Sequence, residues 1–442
     1  MDFNTLLGTS FACDCGKQHT VPTENFIYDD HAYASIADIA RNITRGQRYL
    51  LIADQRTFEA AGKRVKELLQ QQGIQPETYI IADRSGKSPA ADDNARDEIL
   101  AAAPDADLYL AVGSGVVNDL VKWVSFLKKK PYITVPTAAS MNGYASANVA
   151  ASIGGLKVLF HAEACKAAFV EPEVLYQAPD ELTTSGLGDV LAKSVSSADW
   201  KLNQFLFGDY YCQFAVDLLK DLEPVYLDNP EGIRNKEQGA FKALFEALFY
   251  SSIAMTITGT SAPASGGEHL ISHTLDMTAA RDGVTHDYHG RQVGVASILM
   301  AALYGEIMTI EVPQFVDIPQ TVNTGFWGEL SAIVAGEYEK KLPKIAEAKD
   351  FLSRHDNWQA LCKTIKPMLA DPARLKNCLE KSGGIHTLPG IRRGGGALDF
   401  QFFFDTVVNA NQMRSRFTIL DLAVMTGVIP NRIDALIKKW VS

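Results

Sequence analysis

DLYLAVGSGVVNDLVKWVSFLKKKPYITVPT, residues 107–137, holds a complete repeat of the architecture. DLYLAVGSG (107–115) is an apolar, β-rich run that ends in Gly113-Ser114-Gly115. VVNDLVKWVSFLKKK (116–130) then carries helical spacing with basic residues in its last turn, and YITVPT (132–137) is a second β-rich run. Strand, glycine turn, helix and strand compose one βαβ unit, and such a crossover joins parallel strands. The same grammar extends upstream. RYLLIAD (48–54) reads as a strand, TFEAAGKRVKELLQQQG (57–73) as a helix stopped by Gly73, TYIIAD (78–83) as a strand and DDNARDEILAAAP (92–104) as a helix. Alternation of this kind from about 48 to 175 predicts a parallel sheet with helices on both faces.

From about residue 180 onward the period changes. DELTTSGLGDVLAKSVSSADWKLN, KEQGAFKALFEALFYSSIAMTITG, EHLISHTLDM and GRQVGVASILMAALYGEIM all repeat their apolar residues at helical spacing, and no strand is expected among them. The expected organisation is an α/β Rossmann-like domain over 1–180 and an all-α domain over 181–442, meeting around EPEVLYQAPDEL. GGIHTLPGIRRGGGALDF (383–400) reads as an interhelical loop.

Composition narrows the function classes. With 442 residues, 47% hydrophobic and 21% charged, the chain is long enough for two separate cores. A formal net charge of −10 argues against a nucleic-acid or anionic-membrane partner. The start, MDFNTLLGTSFACDCGK, lacks a basic region followed by an apolar one, and no apolar run approaches the roughly 20 residues that span a bilayer. Six cysteines are scattered, and only Cys13 and Cys15 are close, with a gap that strains a disulfide. A cytoplasmic, reducing setting is the expectation. Cys13, Cys15 and His19 offer three soft donors with no fourth in view, and a β-hairpin carrying thiols accounts for the same spacing.

Two groups of residues point to chemistry. Gly113-Ser114-Gly115 at the opening of a helix leaves free backbone N–H groups at the positive end of the dipole, where a phosphate is favoured. An ordinary strand–helix turn has the same sequence. Asp119 follows in the predicted first turn as a ligand contact, as a cap or as compensation for the dipole. Asp54, ending the first clear strand, is placed either to accept from a ribose or to cap the helix near Thr57. The small residues of PTAASMNG (136–143) suit close approach by a cofactor.

The second group is acidic and imidazole-rich. His269 and His273 are four apart, hence on one helix face, and His286 and His289 follow in DGVTHDYHG. Asp189, after Gly186-Leu187-Gly188, is read at the start of a helix, as a ligand or as a cap. One carboxylate and two imidazoles leave open positions for a substrate oxygen, as a catalytic divalent site requires. Which histidine pair binds stays open on spacing. A zinc-protease helix fits poorly, because Leu-Ile-Ser separates His269 from His273 and its general-base glutamate is missing.

Six segments in order resemble the sn-glycerol-1-phosphate dehydrogenases, most nearly their bacterial, AraM-type branch. They are GSGVVNDLVKW, PTAASMNGYAS, SGLGDVLAKSVSSADWKL, SGGEHLISHTLD, HGRQVGVASIL and RSRFTILDLAVMTG. The family stands with glycerol dehydrogenase, the iron-containing alcohol dehydrogenases and dehydroquinate synthase. The resemblance, over roughly residues 20–435, implies a dehydroquinate synthase-like fold and NAD or NADP as cofactor. It also implies one divalent metal, zinc or nickel, held by Asp189, His269 and His289. His273 then lies beside the metal, one turn along, in contact with the substrate or with a metal ligand. Gly113, Ser114, Gly115 and Asp119 match the pyrophosphate turn, Thr137, Ser140 and Ser146 the cofactor-lining segment, and Asp54 the acidic position after the first strand. The implied reaction is reversible reduction of dihydroxyacetone phosphate to sn-glycerol 1-phosphate, by a homodimer acting on a small phosphorylated substrate.

Two departures bear on the substrate. Where the family reads S-x-D-G, this chain has Ser140-Met141-Asn142-Gly143, and Asn142 hydrogen-bonds a hydroxyl without acting as a base. Where a glutamate usually follows His-Gly, Arg291 stands here, a candidate phosphate clamp. Both leave room for another small polyol or polyol phosphate as substrate. A dehydroquinate synthase-like lyase fits the segments less well, and a non-catalytic metabolite binder has no need of all three metal ligands.

Overall fold

The computed structural model describes residues 3–84, 86, 88–154 and 156–442, which form two units. The first takes the chain up to Gly186 together with Asp217–Val225 and Asn235–Thr260. The second is Leu187–Val216, Tyr226–Arg234 and Ser261–Ser442.

Strands of the first unit are, in chain order, β1 (Ser10–Ala12), β2 (Gln18–Thr20), β3 (Asn25–Tyr28), β4 (Tyr49–Asp54), β5 (Glu77–Ile81), β6 (Leu108–Gly113), β7 (Tyr132–Pro136), β8 (Asn148–Ile153), β9 (Leu156–His161) and β10 (Ala167–Val170). Six compose a sheet in the order β3-β10-β7-β6-β4-β5, paired in parallel throughout. Every residue of β6 is buried, as the uninterrupted apolar run of a strand covered on both faces requires. Its register sets Leu110 against Ile133 and Val112 against Val135 of β7. Leu51, Leu110, Val112, Ile133 and Phe169 carry one core, closed by Ala37, Val65 and Leu69 from helices. Burying each such aliphatic or aromatic side chain contributes about 1.5–3 kcal/mol.

The sequence reading places the sheet between about 48 and 175, with its last named strand at 132–137, and the structure adds β3 before that range and β10 within it. β3 and β10 are four residues each, too short to show a period, and β8 and β9 form an antiparallel hairpin. Gln238–Thr258, which helical spacing assigns to the all-α half, packs with the sheet unit. Phe249 stacks on Phe26 of β3 at 4.3 Å, and the Ala145 N–H donates to Ser252 Oγ at 3.0 Å. By length and composition this helix is long and apolar enough to cross a membrane, contrary to the expectation that no apolar run approaches that length. With 83% of that window buried inside the fold, it is a core helix here.

In the second unit, His289–Ile307 is buried along nearly its whole length and packs against Gly267–Arg281, Pro372–Lys381 and Ile433–Trp440. The expected absence of strands holds except at Arg392–Arg393 and Gly396–Ala397, a two-residue hairpin inside the glycine-rich loop.

Candidate functional site

The cofactor candidates gather at one edge of the sheet. From β4 the chain goes outward to β5 and returns on β4's other side as β6, so strand order reverses between β4 and β6. Ligands of open parallel sheets bind outside the carboxyl ends of the strands at such a switch. Asp54 ends β4 and Gly113 ends β6. Gly113 carries no side chain for a packing reason, since a Cβ there meets Val117 at 2.5 Å. Ser114 is the N-cap of the helix Gly115–Lys128, and its hydroxyl makes no capping hydrogen bond. First-turn N–H groups at this position are those that receive a phosphate. Thr137, just past β7, donates its backbone N–H to the Gly113 carbonyl at 3.3 Å, which sets the next turn against the first.

Asp54 performs the capping role. Its Oδ1 accepts from Thr57 N at 2.9 Å, and Thr57 Oγ1 accepts from Asp54 N at 3.1 Å in a reciprocal capping box. Asp119 neither caps nor compensates the dipole. Its carboxylate takes an ion pair of 3.0 Å from Lys122, whose side chain is fully buried. Sequence reasoning missed Lys122. Its Nζ also donates to the carbonyls of Gly143 and Asn148, both at 2.9 Å, and to Ser146 Oγ at 3.2 Å. One buried cation thereby fixes the 140–148 loop, with Ser140, Asn142 and Ser146, to the helix that follows Gly115. The only signal in the sequence was a lysine on the apolar face of VVNDLVKWV.

The metal candidates lie together in the second unit. Ligand atoms of Asp189, His269 and His289 all fall within 4.8 Å of one another. Asp189 Oδ1 is 3.4 Å from His269 Nε2 and 4.0 Å from His289 Nε2. Bonds of about 2.1 Å to nitrogen and oxygen set tetrahedral donors about 3.4 Å apart, so the set has the dimensions of a divalent site. The other ring nitrogens are already engaged. His269 Nδ1 is 2.8 Å from Glu268 Oε1 and His289 Nδ1 is 2.9 Å from Ser272 Oγ. Outer partners of this kind fix the tautomer and aim Nε2 inward. These residues fit a metal.

Asp189 is not at a helix start. It lies in the last turn of Asp180–Leu191, so the capping alternative falls away. His289 opens the helix His289–Ile307, and the two helices touch through glycines: a Cβ on Gly188 meets the Gly290 carbonyl oxygen at 2.1 Å. His269 sits in the first turn of Gly267–Arg281. Asp199, of the SADW segment, holds that turn. It accepts from Gly267 N at 2.7 Å, Ile419 N at 2.8 Å and the Tyr304 hydroxyl at 2.5 Å. Burial, and after it the Glu268 charge, push its carboxyl up to about 7. For His269, burial disfavours the charge, but hydrogen bonds to Asp189 and Glu268 outweigh it and hold the imidazole up at about 9. Carboxylates that pull a proton onto a buried ring also favour a cation there.

A second group, His273, Asp276 and His289, also converges. His286 Nδ1 lies 3.1 Å from Asp276 Oδ1, and the Nε2 atoms of His269 and His289 face Asp189 instead, which favours the first set. His273 stands beside it, its ring 5.2 Å from that of His289. Arg291 pairs with Asp287 at 2.9 Å and donates to the Gly390 carbonyl at 3.2 Å, so its charge is balanced inside the unit. That weakens its reading as a phosphate clamp. Asn142 belongs to the first unit and Asp189, His269 and His289 to the second.

The chain is similar to several known proteins. The model of the iron-containing alcohol dehydrogenase family matches residues 30–179. The glycerol-1-phosphate dehydrogenase (NAD(P)+) of Halalkalibacterium halodurans is 32% identical over 295 residues, 66% of this chain and 73% of that one. That of Geobacillus thermodenitrificans is 28% identical over 378 residues, 85% of this chain and 87% of that one. Among solved structures, Schizosaccharomyces pombe glycerol dehydrogenase aligns with TM-score 0.53 and 17% identity, over 82% of this chain and 92% of that one. Agrobacterium tumefaciens maleylacetate reductase aligns with TM-score 0.57 and 12% identity, over 96% and 97%. At such identities these structures speak to the fold alone.

Proposed function

The chain belongs to the glycerol-1-phosphate dehydrogenases of the iron-containing alcohol dehydrogenase family, and on that premise we propose that it reversibly reduces dihydroxyacetone phosphate to sn-glycerol 1-phosphate with NADH or NADPH. The observation that carries the proposal is the Asp189, His269 and His289 donor set, with both histidines tethered through Nδ1. Zinc or nickel is the ion proposed, since a carboxylate and two imidazoles suit either. When bound, it polarises a carbonyl oxygen as a Lewis acid.

The chain's own groups do the rest. Backbone N–H groups after Ser114 bind the cofactor pyrophosphate, and the Lys122 anchor keeps the 140–148 loop in place beside that turn. Ketone reduction takes a hydride from the nicotinamide and a proton. We assign the proton to His273, one turn from His269, because an imidazole nitrogen can give up and take a proton whereas the Asn142 amide cannot. Asn142 supplies a hydrogen bond to a substrate hydroxyl. A homodimeric, cytoplasmic enzyme is part of the proposal. The relatives' printed activity and the less negative surroundings produced by Asn142 support a phosphorylated substrate.

The test is NADH and NADPH oxidation by metal-loaded protein with dihydroxyacetone phosphate. The product should resist an sn-glycerol-3-phosphate-specific dehydrogenase. Better turnover of unphosphorylated dihydroxyacetone would move the assignment to a polyol dehydrogenase.

A further inference from the structure

Outside that site, a further cluster of metal-ligating side chains converges among the described residues. CDCGKQH (13–19) folds as a tight hairpin between β1 and β2. Cys13 N donates to the Lys17 carbonyl at 3.0 Å, and Gly16 N to the Cys13 carbonyl at 2.9 Å. Gly16 has φ +84°, a left-handed conformation that a glycine adopts without strain. The turn brings Cys13 Sγ, Cys15 Sγ and a ring nitrogen of His19 within 4.8 Å of one another. Both thiols are half-buried, whereas His19 is only 1% exposed.

The imidazole shows which nitrogen is available. His19 Nδ1 lies 2.7 Å from the Ile257 carbonyl oxygen, which only accepts, so Nδ1 carries the hydrogen. Nε2 therefore presents its lone pair, and it lies 3.3 Å from Cys15 Sγ. A backbone carbonyl on the outer nitrogen is the tether that metal-bound histidines use. Zinc bonds of about 2.3 Å to sulfur and about 2.05 Å to nitrogen give a tetrahedral edge of about 3.6 Å, near the spacing observed. A thiol-to-imidazole hydrogen bond explains Cys15 and His19 alone. It does not explain why the turn carries Cys13 to the same point.

We propose that Cys13, Cys15 and His19 hold a second, structural ion of the soft divalent class, zinc foremost, which locks the N-terminal hairpin. Sulfur-rich donors select zinc over magnesium or calcium. The hairpin supplies three donors, and a tetrahedral ion takes its fourth from outside it. The ion has no part in the reaction, so the proposal stands apart from the proposed function.

The experiment is metal counting on purified protein reconstituted with zinc. Wild type is expected to hold two equivalents per chain, Cys13→Ser/Cys15→Ser one, and His269→Ala one. Cobalt in His269→Ala should give a thiolate-to-metal charge-transfer band, absent when the two serines are added. For the case in which the double variant does not fold, wild-type protein is alkylated with iodoacetamide with and without zinc and read by mass spectrometry. Cys13 and Cys15 should be protected by zinc at least tenfold in rate. Equal alkylation with and without zinc, full metal content in the double variant, or a Cys13–Cys15 disulfide in the reduced, zinc-loaded protein would overturn it.

Discussion

Replacing Gly188 by alanine should damage the metal centre without touching a ligand. An added Cβ falls 2.1 Å from the Gly290 carbonyl oxygen and 3.2 Å from Gly294 Cα, whereas ordinary contact begins at 3.4 Å. The obstacle is backbone, so no rotamer relieves it, and the shortfall is about 1.3 Å. The helix bearing Asp189 must move away from the one that His289 opens. Overpacking of this kind costs about 1–3 kcal/mol, which for a domain of this size lowers the thermal midpoint by roughly 2–12 °C. A shift of about 1 Å in a catalytic constellation costs on the order of 100-fold in rate. Thermal denaturation, metal content and kcat together provide the assay. Gly188→Ser should behave at least as badly. A Gly188→Ala protein with wild-type kcat and midpoint would refute the reasoning that this glycine contact sets the distance between Asp189 and His289.

Three further outcomes follow from the same contacts. Glu268→Gln removes the charge behind His269 Nδ1, and metal affinity is expected to fall about 10–100-fold by competition with a chelating dye. Lys122→Met leaves Asp119 buried without its cation; unfolding free energy should drop by about 3–5 kcal/mol and KM for the nicotinamide cofactor should rise, with the metal content intact. The third concerns pH. The Asp199 carboxyl is held up at about 7 by burial and then by Glu268, so the folded chain binds this proton more tightly than the unfolded one, whose aspartate titrates near 4. Its stabilisation is complete below about pH 4 and lost as pH rises through about 7. Denaturant unfolding across that range should show a decline in wild type that Asp199→Asn lacks, and identical slopes would contradict it.

Much of this was legible in the sequence because its physics is local. The run from Asp107 to Thr137 fixes a βαβ unit by period and by the glycine turn, and the structure has that unit nearly residue for residue. Residues 269 to 289 nominated the histidines in the same way. What stayed hidden depends on partners far along the chain. Asp199 looks like a lone acid on a helix until Gly267 and Ile419 arrive from 68 and 220 residues away. Asp189 looked like a cap because two glycines precede it, yet those glycines serve close contacts, Gly186 with the Ala139 carbonyl and Gly188 with that of Gly290. Lys122 and Arg291 have their counter-charges close by in the chain, in Asp119 and Asp287, yet the sequence does not show that either side chain is buried and needs further acceptors. Only the fold supplies the Gly143 and Asn148 carbonyls to one and the Gly390 carbonyl to the other.

The central claim is that Asp189, His269 and His289 hold the ion on which turnover depends. Its most direct test is the metal content of His269→Ala measured beside wild type. The variant is expected to lose one equivalent per chain and, with it, reduction of dihydroxyacetone phosphate. A variant that keeps the full wild-type complement of metal would contradict the ligand set.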